Sequence, residues 1–129
     1  MVVDPLDSRG NQHVLPGAPT PTYAVDPPTS GPHDAGEAVT GLQAEPLTGP
    51  VQVTVLELGG ILLQYRPDLP VADRNRLAGL AGDKVVVAPN PSLPAPLVAT
   101  AWRRRLSCRG VDLTAVRIFI VQRKGKGPG

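Results

Sequence analysis

Apolar positions recur along this chain with two different periods. VQVTVLEL (51–58) places Val at 51, 53 and 55 and is rich in β-branched residues, the pattern of a strand with one buried face. Gly59-Gly60 then reads as a two-residue hairpin turn or a bulge, and ILLQY (61–65) as the returning strand, ended by RPDLP. KVVVAPN (84–90) is a buried strand stopped by Pro89, and LVATAW (97–102) is a further strand beyond the PSLPAP loop. The helical period fits two stretches. VADRNRLAGLA (71–81) follows a proline, carries Leu77 and Leu80, and stops at Gly82. GVDLTAVRIFIVQRK (110–124) offers Asp112 as N-cap, with Leu113, Val116, Phe119 and Ile120 along one face; a strand over RIFIVQ is the competing reading.

The first third of the chain is patterned differently. Residues 13–50 carry proline after proline, in TPT (20–22), DPP (26–28) and GPH (31–33), which leaves no room for a helix or a central strand. A long proline-rich coil is expected there, and long loops that stay ordered in a compact domain are often functional. Residues 1–12 are polar and turn-rich, a flexible arm, and 124–129 a flexible basic tail. Between them, 13–123 reads as a single α+β domain, a small and mainly antiparallel sheet with two helices.

Composition narrows the partners. With 129 residues and 41% apolar content, the chain fits one folded domain. One Trp, one Phe and two Tyr leave the core to Val, Leu, Ile and Ala and provide no platform for stacking bases. The net charge of +2 is concentrated in RRR (103–105), Arg109 and RKGK (123–126), where a solvated basic edge is the commoner explanation, so nucleic acid is disfavoured as a partner. Cys108 is alone, which excludes an internal disulfide and CxxC chemistry, and beside Arg105 and Arg109 it reads as a buried or incidental thiol. The start, MVVDPLDSRG, has no signal-peptide pattern, and no run approaches the roughly 20 apolar residues that cross a bilayer. The expectation is a cytoplasmic protein with no membrane partner, with a homodimer left open.

Glu57 stands out inside the most apolar stretch. As a strand, 51–57 would aim it where Val51, Val53 and Val55 point, inward. A buried carboxylate must be hydrogen-bonded, paired or protonated. It is then either a structural group held by backbone N–H donors or a general acid or base with a raised pKa. His33, after Gly31-Pro32, is either a turn histidine on backbone carbonyls or a site residue. Tyr65 and Trp102 end predicted strands and are either pocket walls or core anchors. Ser30 lacks the GxSxG elbow, and Gly59-Gly60 belongs to no phosphate loop.

YAVDPPTSGPHD (23–34), VLELGGILLQYRPDLP (55–70) and VVVAPNPSLPAPLVATAWRRRLSC (85–108) resemble the bacterial family catalogued as domain of unknown function 3105, over residues 13 to about 127. That family's pattern runs from PPTSGPH through a histidine-bearing strand into LEHGG, then to Tyr-x-Pro, a VAP segment, Ala-Trp and a C-terminal apolar helix. The resemblance implies a histidine cluster suited to metal or acid–base work, with no assigned chemistry. This chain has Thr54 and Leu58 at two of the histidine positions and keeps His33, Glu57 and, as a further candidate, His13. One imidazole and one carboxylate are too few for zinc or copper, so no metal is expected. In a straight strand 54 and 58 would also lie roughly 13 Å apart, too far to share an ion. The loss of both histidines, and of the membrane anchor that relatives often carry, implies a repurposed or inert copy.

Two functions follow. The first is a small cofactor-free enzyme that cyclises, isomerises or dehydrates an apolar or polyketide-like small molecule. Glu57 would be its acid or base and His33 its partner, with Tyr65, Trp102, Tyr23, Thr54 and Leu58 around the substrate. The alternative is a non-catalytic binding or assembly module. An enclosed apolar pocket lined by Glu57 favours the enzyme, and a flat exposed apolar patch favours the module.

Overall fold

Three of the apolar runs become neighbouring strands of one sheet. The computed structural model describes residues 1–10 and 12–128. In chain order its elements are β1 (Val2–Val3), β2 (His13–Val14), β3 (His33–Asp34), α1 (Gly49–Glu57), β4 (Ile61–Tyr65), α2 (Val71–Ala78), β5 (Val85–Pro89), β6 (Leu97–Ala101), β7 (Arg104–Cys108) and α3 (Leu113–Arg123). A five-stranded sheet runs β1-β7-β6-β4-β5, and β2 and β3 form a separate parallel pair. The large sheet is mainly antiparallel, but β4 and β5 are parallel, with α2 as the crossover between them. The architecture is α+β.

Alternation along the strands divides the core into two layers. Ile61, Leu63, Val85, Val87, Leu97, Ala99 and Ala101 meet Leu77 of α2 and Val116 and Phe119 of α3. Leu62, Val86 and Ala88 point the other way, onto Val53, Val55 and Leu56 of α1 and onto Trp102. Asp112 caps α3 as expected, its Oδ1 accepting the Ala115 N–H at 3.1 Å.

The stretch 51–58 is not a strand. It is helix α1, and Gly59-Gly60 is its stop signal rather than a hairpin turn or bulge. The Thr48 side chain caps the start, with Pro50 in the first turn. At the other end Gly59 takes a φ of 84°, its N–H donates to Leu56 O at 3.0 Å, and the Gly60 N–H donates to Val55 O at 2.8 Å. This is the paired 5→2 and 6→1 arrangement that closes a helix through a left-handed glycine. The alternating valines misled because α1 has no polar face: Pro50, Gln52, Val53, Thr54, Val55 and Leu56 are all buried. β-branched residues cost a helix about 0.5 kcal/mol each, whereas burying each valine contributes about 1.5 kcal/mol or more, so tertiary burial decides.

Two consequences correct the expected element list. Partners of β4 are β5 and β6, not 51–58, and there are three helices among the described residues. Strand β7 was not anticipated: RRLSC has no apolar run, because it lies between β6 and β1 near the sheet's edge, with its residues half-buried or exposed.

The first fifty residues are anchored to this frame at several points. Val2 and Val3 pair with Arg105 and Arg104. Asp4, only 3% exposed, donates its N–H to Arg103 O at 2.9 Å, and its own carbonyl accepts from Arg103 Nε at 3.1 Å. Its carboxylate takes the Thr29 hydroxyl at 3.0 Å and the Arg105 guanidinium at 3.2 Å. Further on, Gly41 and Gln43 bond to both backbone groups of Val87, which covers the outer edge of β5.

Candidate functional site

PPTSGPH folds into a buried knot, with residues 27–33 all buried. Thr29 O accepts the Arg103 N–H at 2.9 Å, and Ser30 Oγ accepts the Asp7 N–H at 2.8 Å. Tyr23 donates its hydroxyl to Pro32 O at 2.5 Å, and the His33 N–H reaches Gln12 O at 2.9 Å. Gly31 has a φ of 115°, and a Cβ there would lie 2.9 Å from Asp7 Oδ2. His33 is 2% exposed, with Nδ1 3.2 Å from Gly31 O. A neutral ring therefore carries its proton on Nδ1 to donate to that carbonyl. The His13 ring stands edge-on to it at 4.9 Å.

Thr54, buried on α1, faces this knot. Its hydroxyl lies 2.8 Å from Asp34 O and 3.0 Å from Pro50 O. The helix also corrects the separation expected of positions 54 and 58. As i and i+4 they are neighbours about 6 Å apart on one face, not 13 Å apart along a strand. In this chain Leu58 is 45% exposed. No group of three or more His, Cys, Asp or Glu side chains suited to a metal ion occurs among the described residues.

Glu57 is the last residue of α1 and is half-buried. The premise that it shares an inward face with three valines falls with the strand, since 51, 53, 55 and 57 fan around a helix. Its carboxylate makes no hydrogen bond or ion pair among the described residues, and none with His33. The surroundings are basic and crowded: Lys84 Nζ donates to Leu58 O at 2.9 Å, and the Gly125 N–H donates to Gly59 O at 2.7 Å. Gly127 packs directly against Glu57 O. Residues 124–127, expected as a loose tail, thus lie on the helix end.

Tyr65 and Trp102 do not wall a common pocket. Tyr65 pairs with Leu97 and packs with the Ile61–Leu63 face, whereas Trp102 packs with α1 on the other face. Trp102 follows five residues after Leu97, about 16 Å along the sheet.

The clefts lie elsewhere. One of about 550 Å³ is walled by Tyr23, Val25, Pro46, Gly49, Gln52 and Asn90. Another, of about 450 Å³, shares Tyr23 with it and contains the Asp7–Arg9 ion pair. Tyr23 separates the two: its ring sits so close to α1 that a Cβ on Gly49 would lie 2.6 Å from Cε2. Burial raises its phenol to about 12, with the Arg9 cation opposing the rise. Arg9 stands 5.5 Å from the ring centroid, and as donor to the Asp7 carboxylate it holds that group below its usual value. Neither of these two clefts is lined by Glu57, His33, Thr54, Leu58 or Trp102.

Behind the larger cleft runs a chain of side-chain amides. Gln52 Nε2 donates to Leu47 O at 3.0 Å, Gln64 Nε2 to Gln52 Oε1 at 3.1 Å, and Asn90 Nδ2 to Gln64 Oε1 at 3.0 Å. The Ser92 N–H closes the chain on Asn90 Oδ1 at 3.0 Å. One end is a carbonyl that can only accept and the other an N–H that can only donate, so the orientation of all three amides is dictated. Each amide keeps one N–H and one lone pair to spare. Gln64 is fully buried, while Gln52 and Asn90 reach the cleft. Gln64 lies near the carboxyl end of β4, and Asn90 directly follows β5, its parallel neighbour.

The family model described as "Protein of unknown function (DUF3105)" matches residues 16–129. The chain belongs to that family. Neither the curated proteins nor the solved structures contain a match to it. No helix of this DUF3105 domain, among the described residues, is long and apolar enough to cross a membrane.

Of the side chains singled out in the sequence, the fold brings His33, Thr54 and Tyr23 to the PPTSGPH knot. It leaves Glu57 and Leu58 at the far end of α1, and Tyr65 across the sheet. The amides of Gln52, Gln64 and Asn90 were missed. One signal was present: Gln64 is the lone polar residue in ILLQY, and a polar residue inside a fully apolar strand must find a buried partner.

Proposed function

We propose that this DUF3105 domain is a non-catalytic binding module whose ligand lies in the cleft between Tyr23 and the amides of Gln52 and Asn90. The amide chain supports this most directly. Two buried amides, Gln52 and Gln64, are costly unless satisfied, and with the half-buried Asn90 they hold spare donors and acceptors at the cleft in a single orientation. Side-chain amides do not ionise in the physiological range, and burial raises the Tyr23 phenol to about 12, so it too stays neutral there. Such groups recognise hydrogen-bonding ligands but supply no acid or base.

The enzymatic reading, with Glu57 as acid or base and His33 as its partner on a polyketide-like molecule, needs both groups on one cavity. Glu57 instead ends α1 beside Gly125 and Gly127, and His33 is engaged by Gly31 O. The binding reading therefore has more geometry behind it.

The test is an amide-detected NMR titration with N-acetylalaninamide, a minimal peptide-bond probe. The side-chain NH₂ signals of Gln52 and Asn90 should shift, Gln64→Leu should weaken the response, and Glu57→Gln and His33→Asn should leave it unchanged. Shifts centred on residues 33 and 57 instead would overturn the proposal.

A further inference from the structure

Beyond Asn90 lies a neighbouring cleft of about 300 Å³. It shares Pro46 and Pro91 with the amide cleft and is otherwise walled by Ala44, Tyr65, Pro67, Pro89 and Arg74. Arg74 is its one charged group. That side chain makes no ion pair among the described residues, and its Nε is buried with no hydrogen-bond partner. The neighbouring carboxylate on α2, Asp73, faces Arg76 instead, at 3.5 Å. A buried guanidinium N–H left unanswered is destabilising, and a planar carboxylate is its best geometric match. A phosphate fits less well, because a second charge would call for a further cation that the cleft lacks.

The groups thus follow one another across two adjoining clefts. Spare amide donors and acceptors come first, at Gln52 and Asn90, then apolar proline walls, then a lone guanidinium. Resting on the binding reading above, we propose that the ligand is a peptide carboxyl terminus, with its last amides at Gln52 and Asn90 and its terminal carboxylate on Arg74. Tyr65 and the prolines give the final side chain an apolar, rigid surround. Prolines present apolar area with no competing N–H, so the polar demands of the ligand fall to the amides and Arg74.

An N-acyl amino acid offers the same chemistry in a shorter molecule, so the probes must separate the two. Acetyl-tetraalanine as free acid, its C-terminal amide, and acetyl-alanine are titrated by NMR against the wild-type chain and against Arg74→Gln and Arg74→Lys. Folding of both variants is checked by circular dichroism. The free tetrapeptide should bind about tenfold tighter than its amide, with the preference shrinking as salt is raised. Arg74→Gln should erase that preference while Gln52 and Asn90 still respond, and Arg74→Lys should keep part of it, having the charge without the fork. Equal affinity of acid and amide in the wild type, or a preference that survives Arg74→Gln, overturns the carboxylate site and leaves the amide cleft standing. Acetyl-alanine binding as tightly as the tetrapeptide overturns the peptide assignment. If Gln52 and Asn90 respond to none of the probes, the binding reading itself falls, and this inference with it.

Discussion

Replacing Gly60 with alanine tests the central correction to the fold. In a two-residue hairpin loop, the second glycine is needed for its backbone angles alone. In the structure the demand at Gly60 is spatial: an added Cβ would sit 2.7 Å from Val55 O and 2.8 Å from Val55 Cγ1. Neither neighbour can yield cheaply. Val55 O is helix backbone that accepts the Gly60 N–H at 2.8 Å, and the Val55 side chain is 1% exposed in the core. Relief requires breaking that bond, worth about 1 kcal/mol, and disturbing core packing at about 1–3 kcal/mol. The expected loss is about 2–4 kcal/mol, or a fall in Tm of about 8–16 °C for a chain of this size. Gly59 behaves differently, because its φ of 84° is the constraint. Gly59→Asn should cost less than Gly59→Ala, since asparagine tolerates left-handed backbone. Urea unfolding followed by circular dichroism measures all three variants. A Gly60→Ala variant within about 0.5 kcal/mol of wild type would refute the helix-stop reasoning.

Other outcomes follow from the same geometry. Gln64→Leu keeps the apolar volume but strands Gln52 Oε1 and Asn90 Nδ2, so urea unfolding should show a loss of about 2–4 kcal/mol. Glu57→Gln should change stability by less than about 1 kcal/mol, with any change stabilising, because a carboxylate without a partner at a helix C-terminus opposes the helix dipole. A large destabilisation of Glu57→Gln in urea unfolding would restore a structural role for Glu57. Burial raises the Tyr23 phenol from 10.0 to about 12. The folded state therefore holds this proton more tightly than the unfolded chain, and the associated stability is complete below pH 10 and lost as pH climbs toward about 12. Tyrosinate absorbance should show a phenol ionising near pH 12 that Tyr23→Phe removes, and the same substitution should flatten that part of the stability curve.

Much of the fold was legible because burial and period agreed. β5 and β6 are apolar runs buried on both faces, and α3 announces itself through Asp112 and the Val116–Phe119 face. Helix α1 defeated the periodic reading because a helix buried all round has no polar stripe to reveal its turn. Its end signals, Thr48, Pro50 and the left-handed Gly59, were in the sequence but were outweighed by Val51, Val53 and Val55. Strand β7 failed for the opposite reason, since a polar strand near an edge needs no apolar pattern. The candidate site shared the fate of α1. Glu57 drew notice only because a strand would have buried it, whereas Gln52 and Asn90 acquire meaning from Gln64, which lies 12 and 26 residues away and meets them only once the sheet exists.

The clamp around Asp4 also has a bearing on how the molecule is made. Residues 2–4 are made about a hundred residues ahead of their partners Arg103, Arg104 and Arg105. During synthesis β1 has no strand to pair with until β6 and β7 have been made and have turned at Trp102. Attachment of β1 is thus deferred until β7 has been made, and such long-range closure favours slow folding. Until then Val2, Val3 and the apolar strands behind them stay open to other chains. A release of nascent chains before residue 105 should therefore yield aggregation-prone fragments rather than a smaller folded domain.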